Sequence, residues 1–361
     1  MNKRISKIKG IMEHKNIDHV LITDYYNLKY FINLDLDSGE RMVVLLVNKD
    51  NESILFLNEL FSIPSSDDYK IIYYNDTEDC ISILSNHLSG KSIYVDGKWT
   101  ASFLLRLMNR FSANYQDASL LITKLRAIKD EQEIKSMIKA SLDNDEVMRR
   151  ILPYLKLGVS EKEIYNQLLI EFKNLTGEPV SFEPIVAFGK NASNPHHQSN
   201  DTILQKGDIC LIDMGCRHQG YCSDMTRTFL QKNEKMEEIY EIVRKANLLA
   251  IETIKPGKKF SEIDKVARDY ISSFGYGQYF THRLGHGIGL EAHEGYDVSS
   301  TNETLIEEGM CFSIEPGIYL PEVGGVRIED LVIVTKKGVI ILNSFPKEKH
   351  FIKGNAAYCK W

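Results

Sequence analysis

The chain has 361 residues, of which 43% are hydrophobic and 26% are charged, as is typical of a globular protein. This length exceeds the usual size of a single hydrophobic core, so we expect two domains. The net charge of −6, without a basic block, argues against a nucleic-acid-binding surface. The basic N-terminus lacks the apolar core of a signal peptide, and no apolar run is long enough to cross a bilayer. We therefore expect a cytoplasmic protein with no membrane partner.

Six cysteines are scattered along the chain without a CxxC pair: Cys80, Cys210, Cys216, Cys222, Cys311 and Cys359. In a reducing compartment we expect buried free thiols at these positions. Cys210, Cys216 and Cys222 lie near several acidic residues and are weak candidates for soft metal ligands, because their spacing matches no structural zinc pattern.

Residues 1–120 alternate between helical and strand patterns, which predicts an α/β domain. The segment RISKIKGIMEHKN has helical spacing, and strands are predicted over HVLITD, RMVVLLV, SILFL, KIIYY and SIYV. Asp24, Asn27 and Arg41 are spread out and are interpreted as turn or surface residues. We expect this domain to shape or cover a site elsewhere.

The pattern changes near Leu121, where ITKLRAIKDEQEIKSMIKASLDNDEVMRRIL predicts one long amphipathic helix with Ile134, Ile138 and Leu142 on its apolar face. We place the domain boundary within residues 117–125, which gives domains 1–120 and 121–361. No Gly/Ser-rich linker separates them, so packed domains are expected.

The second domain contains a weak internal repeat. LGVSEKEIYNQLLIEF carries a capping box, Ser160 with Glu163, and PGKKFSEIDKVARDYI repeats the theme about a hundred positions later. The apolar residues at helical spacing are Ile164, Leu168 and Phe172 in the first copy and Ile263, Val266 and Tyr270 in the second. Another amphipathic helix precedes each copy, and glycine-rich strand sequence follows it. This order predicts two halves related by pseudo-symmetry, with a ligand site where they meet.

Two aspartates stand out in GDICLIDMGCRHQGYCSDMTRTF, which predicts a β-hairpin. Asp213 ends the first apolar run and Asp224 lies in the middle of the second. Aspartate is a poor strand former. A role in a turn suits Asp208, which follows Gly207, but it suits Asp224 badly. For Asp213 and Asp224, metal binding and a structural role in a turn therefore both remain open.

Three histidines, His282, His286 and His293, lie in the glycine-rich segment HRLGHGIGLEAHEG. Glycine permits close backbone approach, and imidazole binds first-row metals or transfers protons near neutral pH. One histidine alone would more often be a packed or surface residue. Three in one such segment favour a functional role.

Two glutamates complete the acidic set. Glu315 precedes Pro-Gly at a strand end in CFSIEPGIYLP, and in GVRIEDLVIV the alternation puts Arg327 and Glu329 on one face. Four carboxylates and one imidazole gathered at one point would repel strongly unless cations lay between them. We therefore predict two divalent metal ions, for which this ligand set favours Mn²⁺, with Co²⁺, Fe²⁺ or Zn²⁺ as alternatives.

Two such cations, roughly 3.5–4 Å apart, can activate a shared water as a nucleophile. His196, in the polar loop SNPHHQSN, is a candidate donor to the resulting oxyanion. A structural metal site in a scaffold or regulator is an alternative, because the sequence does not show an open coordination position.

Five segments, in this order, resemble motifs of the pita-bread-fold metallopeptidases, in particular the branch of Xaa-Pro dipeptidase (prolidase) and aminopeptidase P. They are SFEPIVAFGKNASNPHH, LIDMGCRHQGYCSDMTRTF, HRLGHGIGLEAHE, FSIEPGIY and GVRIEDLV. The resemblance covers the whole chain. It implies an α/β (α+β) fold in which a creatinase-like N-terminal α/β domain precedes a pseudo-symmetric pita-bread catalytic domain. It also implies a homodimer.

The resemblance assigns roles to individual residues. The implied metal ligands are Asp213, Asp224, His286, Glu315 and Glu329. Asp224 and Glu329 would bridge two metals, Asp213 would complete one, and His286 with Glu315 would complete the other. Glu315 would also act as general base.

Further residues fall on the substrate side of the implied site. His196 and His293 would contact the scissile peptide and stabilise the tetrahedral intermediate, and both count as catalytic and substrate-binding. His282, Tyr221 and Arg327 would line the substrate site, and Arg327 would hold the ligand network together. His197, the next residue in the loop, is expected to be structural.

The implied reaction is hydrolysis of the bond between an N-terminal residue and a following proline in a small peptide. The compact length slightly favours an Xaa-Pro dipeptidase, and an Xaa-Pro aminopeptidase is the alternative. A creatinase-like hydrolase or a non-catalytic binding protein is more remote, because those branches lose ligands and all five are present here. Methionine aminopeptidases usually lack this N-terminal domain. A dipeptidase must also recognise the free carboxylate after proline, but no residue for this role is visible in the sequence.

Overall fold

The computed structural model describes residues 2–353 and 356–358 and divides into two compact units, Met1–Arg126 and Ala127–Trp361. The predicted boundary between residues 120 and 121 falls inside a helix, Ser119–Ala127. Within the described part of the chain, no helix combines the length and apolarity that crossing a bilayer requires.

The first unit is built on a six-stranded mixed sheet with strand order β4-β3-β2-β1-β5-β6. Its elements are α1 (Lys3–Lys15), β1 (His19–Ile22), α2 (Tyr25–Ile32), β2 (Val44–Asn48), β3 (Ser53–Asn58), β4 (Tyr69–Tyr74), α3 (Cys80–Ser85), β5 (Ser92–Val95), α4 (Ala101–Arg110), β6 (Asn114–Asp117) and α5 (Ser119–Ala127). The predicted helix and all five predicted strands are confirmed, because apolar runs such as β1 and β2 are buried along their whole length.

Three polar residues of this unit were interpreted as turn or surface residues. Asp24 is the N-cap of α2, and the exposed pair of Arg41 with Asp76 is bidentate. Asn27 departs from the interpretation because it is only 8% exposed and donates a hydrogen bond to Asp96. The side chain is buried because that carboxylate offers it a partner.

The second unit contains two pairs of packed helices, α6 (Glu131–Ile151) with α7 (Glu161–Thr176) and α8 (Glu234–Thr253) with α9 (Phe260–Ser273). Its strands are β7 (Ile185–Phe188), β8 (Cys210–Met214), β9 (Arg217–His218), β10 (Tyr221–Cys222), β11 (Met225–Leu230), β12 (Gly285–His286), β13 (Asp297–Val298), β14 (Cys311–Ile314), β15 (Gly317–Leu320), β16 (Gly324–Arg327), β17 (Asp330–Thr335), β18 (Gly338–Ile341), β19 (His350–Lys353) and β20 (Ala356–Tyr358). A five-stranded sheet has the order β20-β19-β11-β8-β7, and a three-stranded sheet has the order β14-β17-β18.

Each helix pair has its own hydrophobic core, as the predicted repeat requires. The first core includes Ile164, Leu168 and Phe172 on α7, and the predicted capping box of that helix is present. The second copy matches less closely, because Ile263 is buried while Val266 and Tyr270 are only half-buried. The buried face of α9 consists of Phe260, Ile263, Asp264, Ala267 and Ile271.

The long helix predicted over residues 122–152 is wrong in two respects. It is two helices, because Asp130 caps the start of α6 in a reciprocal capping box with Glu133. The apolar face is also misplaced, since Leu142 is 47% exposed. The buried face instead carries polar groups that satisfy backbone atoms: Asn144 donates to the Met214 carbonyl, and Asp145 accepts from the Ser344 amide.

The predicted aspartate hairpin is confirmed, with β8 antiparallel to β11 and Asp213 paired with Thr226. Asp224, however, lies between β10 and β11 and not inside a strand. Its low strand propensity is therefore no anomaly.

The five described cysteines are buried and unpaired, and Cys359 lies outside the described residues. Burial raises the pKa of Cys216 and of Cys222 to about 12, so both thiols stay protonated. Neither they nor Cys210 line the cavity described below. The weak suggestion of soft metal ligands is therefore not supported.

Candidate active site

A cavity of about 610 Å³ in the second unit collects nearly all the predicted site residues. Its lining consists of Phe182, Glu183, Ile185, Pro195, His196, Asp213, Asp224, His282, Arg283, His286, Ala292, His293, Glu315, Arg327 and Glu329. The predicted site residue that is missing from this lining is Tyr221.

The ends of short strands bring the acidic residues and the imidazole together. Asp213 belongs to β8 and His286 to β12, while Glu315 directly follows β14 and Glu329 lies between β16 and β17. Asp224, His286 and Glu329 each offer one ligand atom, and these atoms lie within 4.8 Å of one another. His286 Nε2 is 3.3 Å from Glu315 Oε1 and 3.6 Å from Asp224 Oδ2.

Burial controls the protonation of this cluster. Burial, followed by the negative charges of Glu329 and Asp213, raises the pKa of Asp224 well above its ordinary value. Burial also raises the pKa of Glu329, and that of Glu315 to about 7. The carboxylates thus share a space in which their negative charges are poorly stabilised by the protein.

The same burial keeps the imidazole of His286 neutral by lowering its pKa to about 3. Its Nδ1 lies 3.2 Å from the Gly287 carbonyl, which assigns the proton to Nδ1 as donor. The lone pair on Nε2 therefore points at the carboxylates, as a metal ligand requires.

Two buried oxygen atoms of the cluster, Asp213 Oδ1 and Glu329 Oε1, have no hydrogen-bond partner among the described residues. Buried carboxylate oxygens without a partner are costly, and a bound cation would satisfy them. The donor set of carboxylate oxygens and one neutral imidazole fits divalent metal ions. This cluster can therefore hold a divalent metal.

Arg327 connects several members of the cluster. Its Nη2 donates to Asp213 Oδ2 at 2.6 Å, its Nη1 to the Tyr319 hydroxyl at 2.9 Å and its Nε to Thr226 Oγ1 at 2.9 Å. The Thr226 hydroxyl in turn donates to Glu329 Oε2 at 2.7 Å. One guanidinium group thereby fixes two carboxylates that lie far apart in the sequence.

Tyr319 and Thr226 were not identified from the sequence. A signal was available for Thr226, which follows Asp224 by two residues and so shares its side of the chain in an extended segment. Tyr319 gave no comparable signal, because an aromatic residue in a strand is ordinary. Only the fold shows that the Tyr319 hydroxyl is hydrogen-bonded both to Arg327 and to His282.

His282 also lines the cavity and is neutral, since burial, followed by the charge of Arg327, lowers its pKa to about 3. Its Nδ1 donates to the Arg283 carbonyl at 2.7 Å, so Nε2 accepts the hydrogen bond from Tyr319 at 2.8 Å. The imidazole is thereby fixed on both nitrogens.

The two remaining predicted histidines lie at the cavity wall. The ring of His293 packs edge-on against that of His286 at 4.2 Å between centroids, and burial lowers the pKa of His293. His196 is exposed at the other wall, where its backbone amide donates to Asn194. Both side chains border the space in front of the carboxylates.

Two predictions concern residues outside the cavity lining. His197 is expected to be structural, and its Nε2 lies 2.7 Å from Glu161, which is fully buried. Tyr221 was expected to line the substrate site, but its hydroxyl donates to Glu133 on α6 at 2.8 Å and its ring is buried. The β10 strand faces this helix, which is why the Tyr221 ring turns away from the cavity.

Comparisons with known proteins agree with this architecture. Residues 4–128 match the model of the Creatinase/Prolidase N-terminal domain, and residues 135–336 match that of metallopeptidase family M24. An uncharacterized peptidase of Staphylococcus aureus is 39% identical over 350 residues, which cover 95% of this chain and 99% of the relative.

Two solved structures are similar over almost their whole length. The dipeptidase from Pyrococcus horikoshii has a TM-score of 0.91 and 34% identity, covering 96% of this chain and 99% of its own. The Xaa-Pro dipeptidase from Bacillus anthracis has a TM-score of 0.90 and 32% identity, covering 97% of this chain and 99% of its own. The expected α/β fold, with a creatinase-like part followed by a pita-bread part, is confirmed. The chain thus belongs to metallopeptidase family M24 and is a metallopeptidase that carries the Creatinase/Prolidase N-terminal domain.

Proposed function

We propose that this metallopeptidase is an Xaa-Pro dipeptidase that uses two divalent metal ions. The main supporting observation is the buried cluster of four carboxylates and one neutral imidazole at the wall of a peptide-sized cavity, in which two oxygens find no hydrogen-bond partner among the described residues. The similarity to proteins named dipeptidase and Xaa-Pro dipeptidase supports the choice of substrate.

In this proposal the ligands are Asp213, Asp224, His286, Glu315 and Glu329. Asp224 and Glu329 would be shared by the two ions, Asp213 would hold one of them, and His286 with Glu315 would hold the other. Mn²⁺ is the expected metal for oxygen ligands with one imidazole, with Co²⁺, Fe²⁺ or Zn²⁺ as alternatives. When bound, such ions lower the pKa of a water and polarise the scissile carbonyl.

The protein supplies the remaining chemistry. Glu315, which lines the cavity and lies 3.3 Å from His286 Nε2, serves as general base. His196 and His293 contact the scissile peptide and donate hydrogen bonds to the developing oxyanion. Arg327, through Tyr319, keeps His282 in place at the substrate site.

The decisive substrate test compares hydrolysis of Ala-Pro with that of Ala-Pro-Ala in the presence of Mn²⁺. A dipeptidase cleaves the first at a much higher kcat/KM, because it requires the free carboxylate directly after proline. Equal or faster cleavage of the tripeptide would instead identify an Xaa-Pro aminopeptidase acting on longer peptides.

The metal assignment is tested with Glu329→Ala and Asp213→Ala. Both should lose metal, measured by elemental analysis against two equivalents in the parent protein, together with activity. Glu163→Ala, at the exposed capping box of α7, is the matched control and should keep both. Full activity in a metal-free variant would refute the proposal. A homodimer and a cytoplasmic location stay predictions, which light scattering and cell fractionation can test.

A further inference from the structure

A charged network contacts the backbone of the segments that contain Glu315 and Glu329, and the proposed chemistry does not use it. Arg227 and Asp330 form a 2.7 Å ion pair in which neither side chain has any exposure. Lys347 Nζ lies 2.6 Å from the other oxygen of Asp330 and also donates to Asn247 Oδ1 at 3.0 Å. A buried ion pair is weak evidence of a stabilising role, because removing two charges from water costs about as much as their attraction returns.

The network donates hydrogen bonds to the backbone of the segments that contain Glu315 and Glu329. Arg227 Nη1 donates to the carbonyl of Glu329 at 2.5 Å, and Asn247 Nδ2 donates to that of Ile328 at 3.3 Å. The same Asn247 Nδ2 donates to the carbonyl of Ile314, directly before Glu315, at 2.8 Å. One connected set of side chains therefore holds the peptide bonds next to both glutamates.

The alternation of side chains along β11 explains how the segment that contains Arg327 and Glu329 is held on two sides. On β11, Thr226 and Thr228 face the segment of Arg327 and Glu329, where they bind Glu329 Oε2 and the Arg327 carbonyl. Arg227, between them, points to the opposite side and reaches the Glu329 carbonyl from there. The carboxylate and the backbone of Glu329 are thus restrained independently.

We propose that Arg227, Asp330, Lys347 and Asn247 are positioning residues that set the spacing of Glu315 and Glu329 for metal binding. The proposal rests on the assignment of these glutamates as metal ligands. Groups that orient ligands typically change metal affinity about 10–100-fold when they are removed. If the network only stabilised the fold, removing one of its side chains would lower the free energy of unfolding and leave the metal affinity unchanged.

The test uses Lys347→Met, which keeps most of the side-chain length, removes the charge and lies at the more accessible end of the network. Equilibrium dialysis of metal-free protein with Mn²⁺ should show affinity weaker by about 10–100-fold than in the parent protein. Lys347→Arg, which keeps the charge, should recover part of the loss. Saturating Mn²⁺ should restore most of the kcat.

Glu161→Gln is the matched control, because it also alters a fully buried side chain with several hydrogen bonds, but one whose partners, among them the Phe188 and Asn200 amides, are not proposed metal ligands. It should lower the melting temperature and leave Mn²⁺ affinity unchanged. If Lys347→Met lowers the melting temperature and binds Mn²⁺ as tightly as the parent, the network is only structural and the inference is overturned. If the parent protein itself binds no Mn²⁺, the proposed metal centre fails instead, so the two failures are distinguishable.

Discussion

Arg327 Nη2 donates a 2.6 Å hydrogen bond to Asp213 Oδ2, although the two residues are separated by 114 positions in the chain. This bond links β8, which follows the first helix pair, to β16, which follows the second. Asp213 Oδ1 is buried and has no hydrogen-bond partner in the described part of the chain. One oxygen of Asp213 is thereby fixed by the protein, and we propose that the other binds a cation.

The Arg327→Lys variant should distinguish the effect of the positive charge at position 327 from the effect of the hydrogen-bond geometry of the guanidinium. Lysine retains the positive charge but cannot donate simultaneously to Asp213, Tyr319 and Thr226. We expect kcat/KM to fall by about 100-fold, with weaker Mn²⁺ binding, because the guanidinium's separate hydrogen bonds to three residues are lost. Steady-state kinetics and calorimetric titration of metal-free protein measure both effects. Parent-like values would show that the charge alone suffices.

Glu315→Gln should change how the stability of metal-free protein depends on pH. Burial raises the pKa of Glu315 from 4.5 to about 7, so between these values the folded protein binds more protons than the unfolded chain. Its contribution to the free energy of unfolding therefore falls as pH rises through this window. Glutamine does not titrate, so the stability of the variant relative to the parent should increase from pH 4.5 to 7, by up to roughly 3 kcal/mol.

Urea unfolding at a series of pH values with a chelator present measures this difference. Groups remote from Glu315 are common to both proteins and cancel in it, whereas the pKa of Glu329, which the charge of Glu315 helps to raise, falls in the variant and adds to the difference. With saturating Mn²⁺ the order should reverse at pH 7, because the amide is a poor substitute for a ligating carboxylate. A pH-independent difference in the metal-free proteins would contradict the raised pKa.

Neighbouring histidines in one loop should respond in opposite ways to substitution. His196→Ala should reduce kcat by about 100-fold with little effect on stability, because its side chain is exposed at the cavity wall. His197→Ala should cost about 1–2 kcal/mol of stability, because the buried Glu161 loses a partner at 2.7 Å. Kinetics combined with thermal unfolding of both variants tests the assignment. A larger loss of kcat in His197→Ala than in His196→Ala would reverse the two roles.

Two buried asparagines on equivalent helices should differ in their contribution to stability. Asn247 uses both ends of its amide, donating to two carbonyls and accepting from Lys347. Asn144 donates to the Met214 carbonyl, while its Oδ1 has no hydrogen-bond partner in the described part of the chain. We expect Asn247→Ala to cost about 3 kcal/mol and Asn144→Ala about 1 kcal/mol, as denaturant unfolding can measure. Equal costs would indicate that the unpaired oxygen of Asn144 carries no penalty.

Residue chemistry and local pattern alone were sufficient to predict much of the molecule. Apolar runs in the first unit predicted five of its six strands, since a buried strand needs only a continuous apolar segment, and missed the largely exposed β6. The acidic residues and His286 could be selected because carboxylates and imidazoles in glycine-rich strand sequence have few structural explanations. The sequence repeat likewise predicted two helix pairs, each with its own core.

The tertiary structure decided what depends on partners distant in the chain. The buried face of α6 includes polar residues because Asn144 and Asp145 bind backbone groups of other segments, which no helical periodicity can reveal. Tyr221 faces α6 instead of the cavity, and Tyr319 joins Arg327 to His282, for the same reason. The sequence by itself determined which side chains could bind metal. Only the fold decided which of their oxygens are held by the protein and which are left without a partner, because hydrogen bonding between remote residues is a property of their packing.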